Sequence, residues 1–332
     1  MNPARIQELL EAARNRRVLV IGDVMLDEFV WGRVSRISPE APVPVVEVEK
    51  ETSYPGGAAN VARNLQAFCK QVIICGLVGE DAAASRLQNL LAAENIDTAG
   101  LVASSLPTIV KTRIVARHQQ VVRVDREKKA PAPQEALNAA IEHIRGILPH
   151  VDAVIFEDYG KGLLTQPFLD QVCDLIKQHD LVVTADPNPT NPLHWRDVKV
   201  LKPNRSEAFA MAGLPDPGAT EDPLTDAALQ EAAGILLEKL QIPALLITLG
   251  EHGMLLLERD SAPFHTPTRA QEVFDVSGAG DTAIAIFTLA LASGSSLREA
   301  AEAANHAAGV VVGKLGTATI LPEELADSFT ED

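Results

Sequence analysis

AVIFEDYGKGLLTQPFLDQVCDLIKQHDLVVTADPN, residues 153–188, holds the unit on which the fold turns. Ala153 to Phe156 and Leu181 to Thr184 are short apolar runs, and Gln166 to Gln178 between them repeats its apolar residues at helical spacing. A connection of that length built as a helix joins parallel strands, not a hairpin. The same rhythm extends outward, with strands expected at Val18 to Ile21, Val72 to Val78, Val198 to Leu201 and Ala244 to Thr248. Helical periods fall at Ala59 to Phe68, Ala83 to Glu94, Gln134 to Ile147 and Leu229 to Leu240. Strands that are apolar on both faces, separated by helices, predict an α/β fold with a doubly wound, mainly parallel sheet. Two segments break the rhythm. Pro42 to Val48 and Thr108 to Asp125 read as short strands of a small antiparallel sheet, the second a hairpin turning near His118 to Gln120. We expect one domain over residues 1–332, with this sheet inserted as a lid at about residues 30–50 and 106–126.

In an open parallel sheet, ligands bind beyond the carboxyl ends of the strands. The residues there are polar: Asp23 follows Ile21, Glu157 and Asp158 follow Phe156, Asp186 follows Thr184, and Lys202, Asn204 and Glu207 follow Leu201. Any one of these serves equally well as a loop residue or helix cap. Several converging on one sheet edge favour a site.

The bulk properties exclude several classes of function. The formal net charge of the 332 residues is -16, which disfavours nucleic acid and anionic membrane as partners. An anionic ligand therefore needs a local concentration of positive charge. Cys69, Cys75 and Cys173 have neither CxxC spacing nor an even count, so they read as core thiols of a protein kept in a reducing cytoplasm. The N-terminal MNPARIQELLEAARNRR is a polar amphipathic helix rather than a signal peptide, and no stretch reaches the roughly 18 apolar residues of a membrane span. The eight histidines show no HxxxH or HxH pair, so no transition-metal site is expected.

The chemistry concentrates in Asp275-Val276-Ser277-Gly278-Ala279-Gly280-Asp281-Thr282, which runs into the apolar helix pattern AIAIFTLALA. Glycines ahead of a helix let successive N–H groups point at an anion, and the helix dipole adds roughly half a positive charge. Gly278, Ala279 and Gly280 would cradle a phosphoryl group. Asp281, in the first turn, either takes the proton of an attacking hydroxyl or caps the helix. A second glycine pair, Gly56 and Gly57, opens a helix carrying Asn60, whose amide both donates and accepts, as a polyol requires. Asp23 and Asp27 can each accept paired hydrogen bonds from sugar hydroxyls, with Asp23 the better placed at a strand end. Between Lys111 and Lys129 stand seven Lys or Arg and two acids, and alternation along an extended strand would put Lys111, Arg113 and Arg117 on one face. That face is either a clamp for a substrate phosphate or a solvated edge strand. Lys161, with Asp158, is a further candidate contact. Asn204 and Glu207 offer oxygens for magnesium, directly or through water. Thr248, Gly250, Asp275 and Asn305 complete the candidate nucleotide contacts. No Walker-type loop is present: Gly309 to Leu315 is one residue short between its glycines and has Leu where Ser or Thr would hold magnesium.

PGGAAN at residues 55–60 and DVSGAGDT at 275–282 resemble the two signatures of the PfkB (ribokinase-like) carbohydrate kinases. The resemblance implies an ATP-dependent sugar kinase in which Asp281 is the base and Gly278 to Gly280 form the anion hole. It also implies that Asn204 and Glu207 belong to a magnesium-associated NxxE motif, that the accessory strands are a lid, and that a monovalent cation can take part. Ser277 stands where family members carry a second Thr. GDVMLDEFVWGRVSRISPEAPVPVVEVE, PGGAANVARNL, DYGKG, DPN, KPNRSE and GVVVGKLGTATI narrow the resemblance to the branch that phosphorylates the anomeric C1 hydroxyl of a heptose 7-phosphate in ADP-heptose synthesis. Many members of that branch continue into an adenylyltransferase domain; the sequence stops at Asp332, which would leave that activity to another polypeptide or to a removed part. The implied partners are a sugar phosphate, ATP and, through exposed lid edges, a second copy of the chain. The residues leave open a kinase for ribose or a hexose phosphate, and a non-catalytic sensor on the same fold.

Overall fold

The computed structural model describes residues 1–117, 119–128, 130–270, 273–314 and 316–330. Its strands, in chain order, are β1 (Arg17–Gly22), β2 (Val24–Ile37), β3 (Pro44–Gly57), β4 (Gln71–Gly79), β5 (Asp97–Ser104), β6 (Ile109–Ala116), β7 (Gln119–Arg126), β8 (Ala153–Glu157), β9 (Val182–Asp186), β10 (Val200–Leu201), β11 (Ala244–Thr248), β12 (Met254–Glu258) and β13 (Phe264–Thr266). The α-helices are α1 (Pro3–Ala13), α2 (Ala58–Gln66), α3 (Ala82–Ala93), α4 (Gln134–Ile147), α5 (Gln166–Ile176), α6 (Arg205–Ala212), α7 (Ala227–Leu240), α8 (Ala279–Ala292), α9 (Leu297–Val312) and α10 (Pro322–Asp327).

Nine strands form the main sheet in the order β13-β12-β11-β10-β9-β8-β1-β4-β5. It is parallel from β5 to β11, and β12 and β13 close one edge antiparallel. Alternation along each central strand supplies two cores. Val18, Val20, Ile74 and Ile155 face α2, α8 and α9, whereas Leu19, Ile21, Ile73, Val154 and Phe156 face α4, α5 and α7. Each fully buried aliphatic or aromatic side chain contributes about 1.5–3 kcal/mol relative to exposure, so the doubly apolar strands hold the centre of the molecule. α8 is apolar all round and buried throughout its middle, as such a helix must be. Its few polar groups have partners: the Thr288 hydroxyl bonds Ile284 O and pairs with the Thr184 hydroxyl, and Thr282 donates to Asn64 Oδ1 on α2 at 2.8 Å.

The small sheet has the order β3-β2-β6-β7. Two antiparallel hairpins, β2/β3 and β6/β7, meet through a parallel pairing of β2 with β6. The first hairpin is longer than its sequence suggests. β2 starts at Val24, directly after β1 and Asp23, and β3 runs through Pro55 and Gly56 into α2. This hairpin therefore begins and ends at the carboxyl end of β1 in the main sheet. The second hairpin turns at Arg117, which takes φ +57°; His118 lies outside the described residues. β7 is exposed along its whole length.

Gly57, the N-cap of α2, takes φ +61°, and a Cβ there would press on the Asp23 carbonyl oxygen. Gly57→Ala should cost about 1–3 kcal/mol of stability, since a left-handed backbone and a backbone clash act together. Chemical denaturation measures it, and an unchanged midpoint would contradict the close approach.

Candidate active site

α8 begins with Gly278 at φ +82°, where a Cβ would lie 2.8 Å from Asn60 Nδ2. A glycine is therefore required both by conformation and by space. The N–H groups of a first helical turn lack intrahelical partners, which makes the amides after Gly278 an anion cradle. Ala279 N–H makes only a long 3.3 Å bond to Val276 O. Asp281 does not cap the helix, because no side chain caps α8. Its carboxylate reaches sideways, accepting from Asn60 Nδ2 at 2.7 Å and from the Tyr159 hydroxyl at 3.0 Å. Burial pushes the Asp281 carboxyl above the usual Asp range, while Asn60 and Tyr159 pull it partly back. A carboxylate held in this way, its pKa raised by burial, has the properties that a general base requires.

Beside the cradle lies a buried charged layer. Lys202 is 4% exposed, its ammonium 2.7 Å from Asp186 Oδ2, and a Cβ on Gly280 would lie 3.5 Å from its Nζ. Burial disfavours the ammonium, but Asp186 and Glu157 together outweigh that and raise its pKa. Glu157 is 1% exposed and its Oε2 has no hydrogen-bond partner. Burial, then Asp186 and Asp281, push its carboxyl well above the ordinary range. Glu157, Asp186 and Lys202 are among the strand-end residues whose convergence in the sequence favoured a site, though none of the three had a role assigned. Their common position at the ends of neighbouring strands β8, β9 and β10 was the available signal.

On the lid side, the Asp27 carboxylate is ion-paired with Arg113 through Oδ1, and Gly56 leaves room for Oδ2. Lys111 Nζ lies 5.8 Å from the centre of the Tyr159 ring. Burial, then the nearby Lys161 charge, lowers the Lys111 pKa. Lys161 is paired with Glu127 at 2.7 Å. Arg117 falls beyond the end of β6, exposed at the turn, so the expected alternation does not extend to it. Asp23 differs from its expected role: it is 4% exposed, and its two oxygens accept the backbone N–H groups of Tyr159, Lys161 and Leu163 at 2.9 to 3.3 Å. Burial raises the Asp23 carboxyl and those three amides oppose the rise. Asp158 accepts from Gly160 N–H and Asn191 Nδ2, and burial pushes it up to about 7.

Asn204 and Glu207 form a reciprocal capping box on α6: Asn204 Oδ1 accepts the Glu207 N–H at 2.9 Å and Glu207 Oε2 accepts the Asn204 N–H at 2.7 Å. Glu207 Oε1 takes no part in the box. Among the described residues no group of three or more His, Cys, Asp or Glu could hold a metal ion. Thr248 ends β11 beside Asn204, and Gly250 sits exposed in the next turn at φ +59°. Asp275 accepts the Ser277 N–H at 2.9 Å and shapes the loop before the cradle. Asn305 is buried and donates to Thr266 Oγ1 and Pro267 O, so its amide nitrogen ties α9 to the end of β13. The three cysteines are free, and burial pushes each thiol up to about 12. Among the described residues no helix is long and apolar enough to cross a membrane.

The chain as a whole is similar to known proteins. The chain is 42% identical to the bifunctional protein HldE of Desulfatibacillum aliphaticivorans over 93% of its own length and 62% of the relative's. It is likewise 42% identical to the bifunctional protein HldE of Vibrio vulnificus over 98% of its length and 66% of the relative's. The chain thus spans about two thirds of the length of these curated relatives. Phosphofructokinase-2 from Escherichia coli, in complex with potassium, superposes with a TM-score of 0.76 at 17% identity, covering 95% of this chain and 99% of that one. Ribokinase from Thermotoga maritima gives 0.69 at 21% identity, covering 96% and 100%. The fold is therefore ribokinase-like. The sequence model described as pfkB family carbohydrate kinase matches residues 15–324, and the chain belongs to that family of carbohydrate kinases.

Proposed function

We propose that the chain transfers the γ-phosphoryl group of ATP to the C1 hydroxyl of D-glycero-β-D-manno-heptose 7-phosphate, a step towards ADP-heptose and the lipopolysaccharide core. The observation that carries the kinase reading is the buried Asp281 carboxylate in the first turn of α8, directly after the Gly278–Gly280 cradle. In this reading the cradle amides and the Lys202 ammonium face the charge that spreads over the migrating phosphoryl group. Asp281 accepts the proton of the attacking hydroxyl, while Asp27, Gly57 and Asn60 orient the sugar. Magnesium, held near Asn204 and Glu207 and by the phosphates, supplies charge neutralisation when bound. In this reading Asp275, Thr248 and Gly250 contact the nucleotide, and a monovalent cation fits the family's habits.

The heptose phosphate reading rests on the extended sequence resemblance and on lid charge. Lys111 is half-buried, forms no ion pair with a carboxylate among the described residues, and shares its neighbourhood with Lys161 and Arg123. A phosphate on the distal end of the sugar would satisfy it. Lys111→Ala should raise KM for a sugar phosphate by about 10- to 100-fold, the worth of one charge-assisted hydrogen bond, and leave an unphosphorylated sugar unaffected. Release of ADP, measured over a panel of heptose, hexose and pentose substrates with and without their phosphates and magnesium, tests both statements. Preference for an unphosphorylated sugar would refute the clamp, and absence of ADP release with every sugar would refute the kinase reading. The place of action in this reading is the cytoplasm, where ATP is available. The exposed β7, with Val121, Val122 and Val124 at its surface, suits pairing with a second copy in a homodimer.

A further inference from the structure

Asp23 spends its carboxylate on a loop instead of on solvent or a hydroxyl. It gathers the N–H groups of Tyr159, Lys161 and Leu163, and so fixes a segment that begins immediately after β8. The tyrosine at the head of that segment is held from three sides. Its backbone is bonded to Asp23, a Cβ on Gly57 would lie 3.5 Å from its Cε2, and Lys111 Nζ stands over its ring. The hydroxyl at the end of this fixed ring lies 3.0 Å from Asp281 Oδ1. Asn60 Nδ2 occupies the other oxygen, Oδ2, at 2.7 Å. With one donor on each oxygen, the plane of the carboxylate is set, and each oxygen retains a lone pair for a substrate proton.

We infer that Asp23 and Tyr159 form a two-step brace for the candidate base: Asp23 fixes the backbone of Tyr159, and the Tyr159 hydroxyl fixes the carboxylate of Asp281. Tyr159 is a positioning residue, acting through Asp281 and opposite Asn60. The inference deepens the kinase reading, since bracing matters to rate only where Asp281 is the base. A tyrosine suits the task because its hydroxyl is carried on a rigid ring with two torsions, so little order is lost in holding it. Each donor also favours the ionised carboxylate over the neutral acid, in an environment where burial does the opposite. The charged and titratable groups around Asp281 are Tyr159, Lys202 and Asp27, with Glu157 and Asp186 sensing its charge from β8 and β9.

Tyr159→Phe removes the hydroxyl and keeps the ring. With the sugar that the ADP-release panel identifies, we expect kcat to fall about 10- to 100-fold, KM for the sugar to change less than about threefold, and the acid limb of the kcat profile to move to higher pH. An unchanged thermal midpoint would assign these effects to the site and not to folding. A second readout does not depend on any substrate. The chain has two tyrosines, Tyr54 and Tyr159, so tyrosine labelled with carbon-13 at Cζ gives two resonances. The brace predicts that the resonance lost in Tyr159→Phe shifts as Asp281 takes up a proton, and that Asp281→Asn abolishes this response while those of the surrounding acids persist. A Tyr159 resonance that titrates identically in Asp281→Asn overturns the brace, as does a Tyr159→Phe enzyme with the kcat and acid limb of the original. If no sugar is phosphorylated at all, the kinase reading fails while the resonance still decides whether the two side chains are joined.

Discussion

Asp281→Asn is expected to reduce kcat by about 10²- to 10⁴-fold while ATP still binds within about threefold of its original affinity. The amide has nearly the shape of the carboxylate, so the cradle at Gly278 and the packing of α8 survive, but it cannot accept the hydroxyl proton. Asn60 would then face an amide where it now donates to Oδ2, a local rearrangement that binding by the nucleotide does not feel. Single-turnover kinetics and nucleotide titration separate the two effects. Near-normal turnover would remove Asp281 from the chemistry. The pH dependence has a definite sign. The ionised form is the active one, and burial raises the folded pKa, so activity falls with decreasing pH at a value above that of an exposed Asp, which is about 3.9.

Lys202→Met should cost about 3–5 kcal/mol of stability, because it strips the cation from a buried layer and leaves Asp186 and Glu157 facing each other. The methionine fills much of the space of the lysine stem, so the loss is electrostatic. Protonation relieves it. Without Lys202 the pKa of Asp186 rises further above its unfolded value, so the native state binds more protons than the unfolded chain. Stability then decreases as pH rises through the folded pKa and is regained on acidification. Denaturant unfolding at pH 5 and pH 8 should show the smaller loss at pH 5. Equal losses at both would mean that the acids are not the source. The variant should also turn over slowly, since its missing ammonium lies against Gly280.

The parallel sheet was legible because β1, β4, β8, β9 and β11 are apolar on both faces and the helices between them keep a clear period. β5 and β13 escaped notice as edge strands, where burial imposes a weaker pattern, and β12 because its buried run MLLLE holds no β-branched residue to mark it as a strand. Gly278, Asp281 and Asn60 were legible because glycine placement before a helix has few physical uses. That Asn60 bonds Asp281, 221 residues away, was not, since periodicity carries no information about which helix start meets which. Asp23 shows the same limit. Its type and strand-end position suggested a sugar ligand, but its partners come from a loop more than 130 residues later. Asn204 and Glu207 were ambiguous in a different way, because Asn-x-x-Glu is as good a capping box as it is a ligand pair, and the fold uses it at least for the first. Arg117 was misplaced because strand alternation was carried one residue past the end of β6.

The most direct test of the site is a crystal structure of the chain with a sugar phosphate and a non-hydrolysable ATP analogue. The acceptor hydroxyl should lie within about 3.2 Å of an Asp281 oxygen, with the terminal phosphate of the analogue on the amides that follow Gly278. A sugar whose nearest hydroxyl is out of hydrogen-bond reach of Asp281, or a terminal phosphate bound away from the start of α8, would contradict the assignment.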